Sequence, residues 1–198
     1  MSEFDATGQN PFDIFDNWIK QAIKNNPDNP NAMCLSTVSS TGKPSSRMVL
    51  LKEYDENGFI FYTNSESRKG QELSQNPHVA LNLYWRESQR QVRIEGKIEI
   101  VSRQMTQAYF NSRQRGSQIA SYASQQSSPL PNRHVYEDRI KKLEDQFKDT
   151  KEIPCPDHWN GYHVTPSLIE LWQEGQFRTH DRFVFKVENN WIAERLYP

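Results

Sequence analysis

Between Phe177 and Phe183 the chain reads Arg178-Thr179-His180-Asp181-Arg182, with two guanidiniums, an imidazole and a carboxylate within five residues. Such a cluster suits recognition of a polar or anionic ring compound, and a charged turn between two strands is the plain alternative. Arg47 and Lys52 bracket Met48-Val49-Leu50-Leu51. On a strand their odd separation sends them to opposite faces, and an edge strand with charged ends would look the same. Tyr62-Thr63 is followed by Ser67-Arg68-Lys69. A strand end leading into a helix start with two bases suits a phosphate, because helix N-terminal amides point at the anion. A serine cap with solvated bases is the simpler reading. Tyr109, Arg113 and Ser117 recur at four-residue spacing, which would set three donors on one helical face. Arg90-Gln91-Val92 and Gln125-Gln126-Ser127-Ser128 add amides and hydroxyls, and Trp172 adds a flat apolar ring.

Other chemistries lack their residues. The eight glycines are scattered, and no G-x-G-x-x-G or Walker loop occurs, so side chains must do most of any phosphate binding. No serine sits in a G-x-S-x-G elbow, and no carboxylate pair stands out as an acid/base dyad. Cys155, His158 and His163 match no standard zinc spacing, and no metal is expected.

These side chains need a scaffold, and the pattern is mostly β with helical inserts. Asn10-Pro11 reads as a helix start, Phe15, Trp18, Ile19, Ala22 and Ile23 follow at helical spacing, and Asn26-Pro27 ends the helix. Strands are expected at 32–39, 46–54, 59–63 and 78–85, with a Ser67-capped helix over 67–75. Gln91–Val101 alternates apolar and polar residues, and Gly96 falls on the core parity, where a bend or close backbone approach is expected. Helices follow at 103–111, 117–124 and 133–148, then strands at 161–165, 168–173, 182–187 and 191–196. Short strands joined by tight turns predict an antiparallel barrel. Residues 1–10 read as a flexible tail and 11–198 as a single domain.

The charge is nearly balanced, 24 Lys and Arg against 25 Asp and Glu. A local basic stretch, Arg86–Arg115, fits a small anion better than nucleic acid, whose binders carry a basic excess across the domain. No apolar run approaches the ~20 residues of a membrane helix, and the acidic N-terminus has no secretory h-region. Two distant cysteines make no disulfide framework, which points to a cytoplasmic setting. So few apolar residues suggest a core completed across a subunit interface.

The clusters, taken in order, resemble the pyridoxine/pyridoxamine 5′-phosphate oxidase family. The resemblance rests on RMVLLK (47–52), FYTN with SRK (61–64, 67–69), RQVRIEG (90–96), YFNSRQRGSQIASYASQQSS (109–128), PDHWNGYHVTPSLIELWQ (156–173), FRTHDRF (177–183) and RLYP (195–198). It implies an FMN-binding split antiparallel β-barrel with flanking helices, mainly β, working as a homodimer with FMN at the interface. It assigns FMN contacts to Arg47, Met48, Val49, Leu50, Leu51, Lys52, Tyr62, Thr63, Arg68, Lys69, Gln91, Gln126, Ser127, Trp172 and Arg182. It assigns the substrate phosphate to Lys52, Tyr109, Arg113 and Ser117. Arg178, Thr179 and His180 would face the substrate ring, with Arg178 and His180 in catalytic roles. The implied reaction oxidises pyridoxamine or pyridoxine 5′-phosphate to pyridoxal 5′-phosphate, with hydride passing to flavin N5 and oxygen ending as hydrogen peroxide. Trp159-Asn160-Gly161 and Arg178-Thr179-His180 depart from the family's W-G-G and R-L-H, and Tyr197 stands where a small residue is common. Another split-barrel flavin oxidoreductase, or a non-catalytic carrier of pyridoxal phosphate or FMN, are the alternatives.

Overall fold

The computed structural model describes residues 4–25 and 28–198. Helix α1 (Pro11–Asn25) starts where Asn10 Oδ1 accepts the Phe12 amide at 2.9 Å. Its first position needs no donor, which suits proline. The Asn26-Pro27 stop lies outside the described residues. One face of α1 buries Phe12, Phe15, Trp18, Ile19 and Ala22. Phe15 meets Tyr54 and Phe59 edge-on at 5.0 and 5.1 Å.

The segment from Phe4 onward, within the stretch expected to be a flexible tail, makes tertiary contacts. The Phe4 ring packs against Trp18 and Phe183, its amide donates to Asp181 Oδ2 at 2.9 Å, and Ala6 is fully buried. Apolar burial and a long-range hydrogen bond hold this segment down.

The strands are β1 (Ala32–Val38), β2 (Pro44–Leu50), β3 (Glu53–Asp55), β4 (Gly58–Asn64), β5 (His78–Trp85), β6 (Arg90–Ile100), β7 (Trp159–Gln173), β8 (Asp181–Val187) and β9 (Trp191–Arg195). Every pairing is antiparallel, in the order β2-β1-β5-β6-β7-β4-β3, with β8 and β9 continuing from β7. The expected strand at 46–54 breaks at Leu51-Lys52. There the Lys52 amide donates to Ile60 O at 2.8 Å, so the chain leaving β2 reaches β4 and the sheet curls on itself. This is the expected split barrel.

Strand β7 corrects a second expectation. The two strands at 161–165 and 168–173 are one strand of 15 residues. Its first part pairs with β4, its last part with β8, and β6 runs along its other edge. Pro166 sits at the register shift between Glu95 and Gly96, where the ladder is already interrupted and its missing N–H costs little. A Cβ at Gly96 would lie 2.2 Å from Thr165 O, the close approach anticipated for that glycine.

The main core joins the inward faces of β6, β7 and β8, with Val92, Ile94, Ile169, Leu171, Phe183 and Phe185 essentially inaccessible. Burying each such side chain contributes roughly 1.5–3 kcal/mol. Helices α2 (Arg68–Gln75), α3 (Arg103–Ser112), α4 (Arg115–Ala123) and α5 (Arg133–Gln146) complete the fold. Phe110, Ile119, Phe147 and Ile153 form a second, smaller core beneath α3–α5.

Candidate active site

One cavity of about 540 Å³ gathers most of the residues expected to bind anions. Met48, Val49 and Leu50 of β2, Lys52 after it, Tyr62 and Thr63 of β4, Lys69 of α2 and Gln126 line one part. Tyr109, Arg113 and Ser117 line another. Tyr109 stacks on Tyr62 with centroids 3.9 Å apart and planes at 13°. Lys52 Nζ lies 5.8 Å from the Tyr109 ring centroid. Burial, helped by the nearby Glu53 carboxylate, raises the Tyr62 hydroxyl pKa, so it stays protonated.

The three donors at 109, 113 and 117 do not share one helix, as their spacing suggested. Helix α3 ends at Ser112, Arg113 is extended at φ −77° and ψ 151°, and α4 begins at Arg115. The break still leaves all three on the cavity wall.

At the start of α2, the Ser67 hydroxyl accepts from the Gly70 amide at 3.3 Å and donates to Asn64 O at 2.6 Å. Lys69 Nζ reaches Gln126 Oε1 at 2.7 Å and Ser67 Oγ at 3.2 Å. Burial, with the neighbouring Arg47 charge, lowers the Lys69 pKa to about 8. Lys52, Lys69 and Arg113 have no carboxylate partner among the described residues. Three cations around one cavity, none neutralised, form a donor set suited to phosphates.

Arg47 is placed differently. Its guanidinium turns away from the cavity to Thr37, Ser45 and Glu72, reaching Glu72 Oε2 at 3.1 Å. Arg68 Nε reaches Glu72 Oε1 at 2.9 Å. Burial alone would raise the Glu72 pKa, but hydrogen bonds from Thr37, Ser45, Arg68 and Arg47 outweigh it and hold the value at about 2. Leu51 is a core residue, 3% exposed. Ser127 is exposed in the left-handed region at φ 75°, next to Gln126 on the cavity wall.

The remaining site residues form a second cluster. Gln91, Trp172 and Arg182 are directly paired across β6, β7 and β8, so they form one row on the sheet face away from the core. Buried Glu170 holds Arg182 at 3.0 Å and raises its pKa. Arg182 Nε is buried without a hydrogen-bond partner. The His180 ring lies 4.7 Å from the Trp172 ring. Gly175 N–H donates to His180 Nδ1 at 3.1 Å, so a neutral imidazole carries its proton on Nε2. Phe177 and Arg178 are both left-handed, at φ 52° and 65°. The Thr179 hydroxyl donates to Gln176 O at 2.6 Å and braces this turn.

The two clusters do not share a cavity on one chain: Gln91, Trp172 and Arg182 are not among its lining residues. Tyr62 pairs with Gly161 and Gln91 with Trp172, and residues 161 to 172 of β7 span roughly 36 Å of extended strand.

Sequence reading did not single out Trp159 or Glu72. Trp159 lines the cavity and carries Arg113 over its ring, 4.3 Å from the centroid. The Arg68-x3-Glu72 spacing was a usable i, i+4 signal for Glu72. Trp159 lies within the family-like stretch 156–173, yet no spacing rule links it to Arg113.

Residues 19–147 match the family model for pyridoxamine 5′-phosphate oxidase. Residues 159–198 match that for the pyridoxine 5′-phosphate oxidase C-terminal dimerisation region. The chain is 48% identical over 191 residues to pyridoxine/pyridoxamine 5′-phosphate oxidase of Caulobacter vibrioides, covering 96% of this chain and 86% of that protein. It is 50% identical over 190 residues to the protein of the same name from Acaryochloris marina, again 96% and 86%. The crystal structure of PhzG from Burkholderia lata 383, in complex with tetrahydrophenazine-1-carboxylic acid, superposes with a TM-score of 0.92. It is 28% identical and covers 100% of this chain and 98% of PhzG. A pyridoxamine 5′-phosphate oxidase-related, FMN-binding protein from Nostoc punctiforme PCC 73102 shares the fold, at 17% identity, TM-score 0.72 and coverage of 96% and 99%. With both its segments matched by the family's models and nearly its whole length by these relatives, the chain belongs to the pyridoxine/pyridoxamine 5′-phosphate oxidase family.

Proposed function

We propose that the chain oxidises pyridoxamine 5′-phosphate and pyridoxine 5′-phosphate to pyridoxal 5′-phosphate with FMN as cofactor and oxygen as acceptor. The observation that carries this reading is the cavity ringed by Lys52, Lys69 and Arg113 without a carboxylate partner. Cofactor and substrate each bring a phosphate, and two groups of donors serve them. Lys69 with Ser67 and Gln126, beside the exposed Arg68, suits the cofactor phosphate. Lys52, Tyr109, Arg113 and Ser117 suit the substrate phosphate. Met48, Val49 and Leu50 offer apolar support to a flat ring, and Thr63 a hydroxyl. Bound there, FMN supplies a two-electron acceptor at N5 that oxygen regenerates with release of hydrogen peroxide.

The second cluster completes the site from a partner subunit. The row of Gln91, Trp172 and Arg182 does not line the cavity of its own chain. In a homodimer it faces the partner's cavity, in keeping with a C-terminal region of the dimerisation family. Arg178 then holds the substrate ring and favours negative charge developing on it. His180, its Nδ1 occupied by Gly175 N–H, offers Nε2–H to the ring oxygen. Thr179 keeps the turn that aims both. Two free cysteines accord with a cytoplasmic protein.

The visible spectrum of the purified protein tests this. A yellow protein that bleaches with pyridoxamine 5′-phosphate without oxygen, and recovers in air as pyridoxal 5′-phosphate forms, is the expected result. A yellow protein that bleaches only with tetrahydrophenazine-1-carboxylic acid would move the substrate to that of its PhzG neighbour. A yellow protein inert to both would be a carrier.

A further inference from the structure

Arg113 is held in an unusual way for a surface-loop arginine. It follows the last residue of α3, in extended conformation. Its Nη1 donates to Ser121 Oγ at 2.7 Å, and Ser121 in turn donates to Ser117 O at 2.9 Å. Its guanidinium carbon lies 4.3 Å from the centroid of the Trp159 ring. Burial lowers its pKa, and no carboxylate among the described residues offsets that. One nitrogen is tied and one face is covered. Nε and Nη2 have no partner among the described residues, so one edge of the fork remains for two parallel bonds to a phosphate.

Trp159 is itself anchored. It opens β7 and pairs with Asn64 of β4. The loop before it hangs on Arg103, which donates to Trp159 O at 3.0 Å, Pro156 O at 3.1 Å and Cys155 O at 2.5 Å. The Trp159 indole N–H is buried without a partner. With no hydrogen bond at the indole N–H, it is the ring face, under Arg113, that accounts for its place on the cavity wall.

We propose that Trp159 and Ser121 are positioning residues that aim the Arg113 fork at the substrate phosphate, Trp159 as a cation–π shelf and Ser121 as a tether. This rests on the reading of Arg113 as a phosphate ligand. An arginine side chain left free would spend most of its rotamers pointing elsewhere, and fixing it in advance lowers the entropy lost on binding. The pair therefore acts on the phosphate and not on the vitamin ring.

The test is equilibrium binding of pyridoxal 5′-phosphate and of pyridoxal to the FMN-loaded protein. It compares Trp159→Leu, Trp159→Phe and Ser121→Ala, each with Arg113 intact and in an Arg113→Ala background. With Arg113 intact, Trp159→Leu weakens pyridoxal 5′-phosphate binding about five- to thirtyfold, the range of a partly to fully desolvated cation–π contact. Ser121→Ala weakens it about three- to tenfold, the loss of one modest hydrogen bond. Pyridoxal binding does not change. Trp159→Phe, which keeps an aromatic face and drops the orphan N–H, restores most of the Trp159→Leu loss. In the Arg113→Ala background none of the three adds a further loss. Equal losses for pyridoxal, or losses that persist without Arg113, overturn the proposal. If Trp159→Leu does not fold, the Ser121→Ala pair decides by the same criteria. Wild-type protein that binds pyridoxal as tightly as its phosphate overturns the phosphate site itself and the proposal with it.

Discussion

Glu72 Oε2 sits 3.1 Å from Arg47 Nη2, and Arg47 is not among the residues that line the cavity. Glu72 also receives Thr37, Ser45 and Arg68, so one buried carboxylate ties β1 and β2 to the first turn of α2. The cations nearest the cavity are thereby sorted. Arg47 has a carboxylate partner, whereas Lys69 has none among the described residues.

Glu72→Ala leaves Arg47 buried without its counter-charge. Breaking a buried pair from one side costs about 3–5 kcal/mol. Thermal unfolding of the variant falls by many degrees, and the wild-type protein shows a matching acid limb. The folded pKa of Glu72 is depressed to about 2, so its contribution is complete above the ordinary value of 4.5 and is lost as pH falls from there through 2. A Glu72→Ala melting temperature equal to wild type at pH 7 would show that the network carries no stability.

Lys69 gives FMN binding a pH dependence. Its pKa in the FMN-free fold is about 8, below the ordinary 10.5. A phosphate holds the proton on, so binding above pH 8 takes up a proton and affinity declines as pH rises further. The same shift has the opposite sign for folding of the FMN-free chain. Burying the charged amine is unfavourable below pH 8, and that cost is relieved as pH rises from 8 towards 10.5. Fluorescence titration of FMN from pH 7 to 10 measures the first effect, and Lys69→Met removes the slope.

Gly175→Ala is expected to impair turnover more than folding. A Cβ there would lie 1.9 Å from Thr179 O, inside the turn that carries Arg178 and His180. The backbone must open, and the Gly175 N–H bond to His180 Nδ1 is lost with it. Misaimed donors in an active site lower kcat by about a hundredfold. The check is stopped-flow reduction of the flavin beside a thermal melt, with FMN content unchanged.

Trp172→Ala separates the two halves of the site. Trp172 stands between Gln91 and Arg182 on the far part of β7, away from the cavity that holds Lys69. If a partner's row closes each cavity, the variant loses FMN although its own cavity is intact. Mixing it with a Lys69→Met variant then restores about half the FMN sites in the mixed dimers, by recombination of intact halves. Flavin content that stays full in Trp172→Ala would place the cofactor on one chain alone.

Much of this was legible before any fold was known, wherever the signal was local. Asn10-Pro11 announced α1, Ser67 capped α2, and Gln91–Val101 alternated because β6 buries one face. Gly96 on the core parity marked the bulge. Each depends on residues within a few positions of one another, where backbone geometry and hydrogen bonding act directly. The ordered motifs were enough to name the family. The strands expected at 161–165 and 168–173 leave out Pro166, which here occupies a register shift that only its pairing with β6 creates.

The sequence by itself determined the element types, the residue set and the family. Tertiary structure alone decided which of those residues work together. Arg47 and Glu72 are 25 positions apart, and their pairing exists only because β1, β2 and α2 pack side by side. Arg113 and Trp159 meet across the gap between α3 and β7. The cavity and the row of Gln91, Trp172 and Arg182, which the motif order treats as one site, do not share a lining on one chain. The reason is physical: side chains far apart in the chain interact only after the sheet has closed, and short-range periodicity carries no record of which edge will meet which.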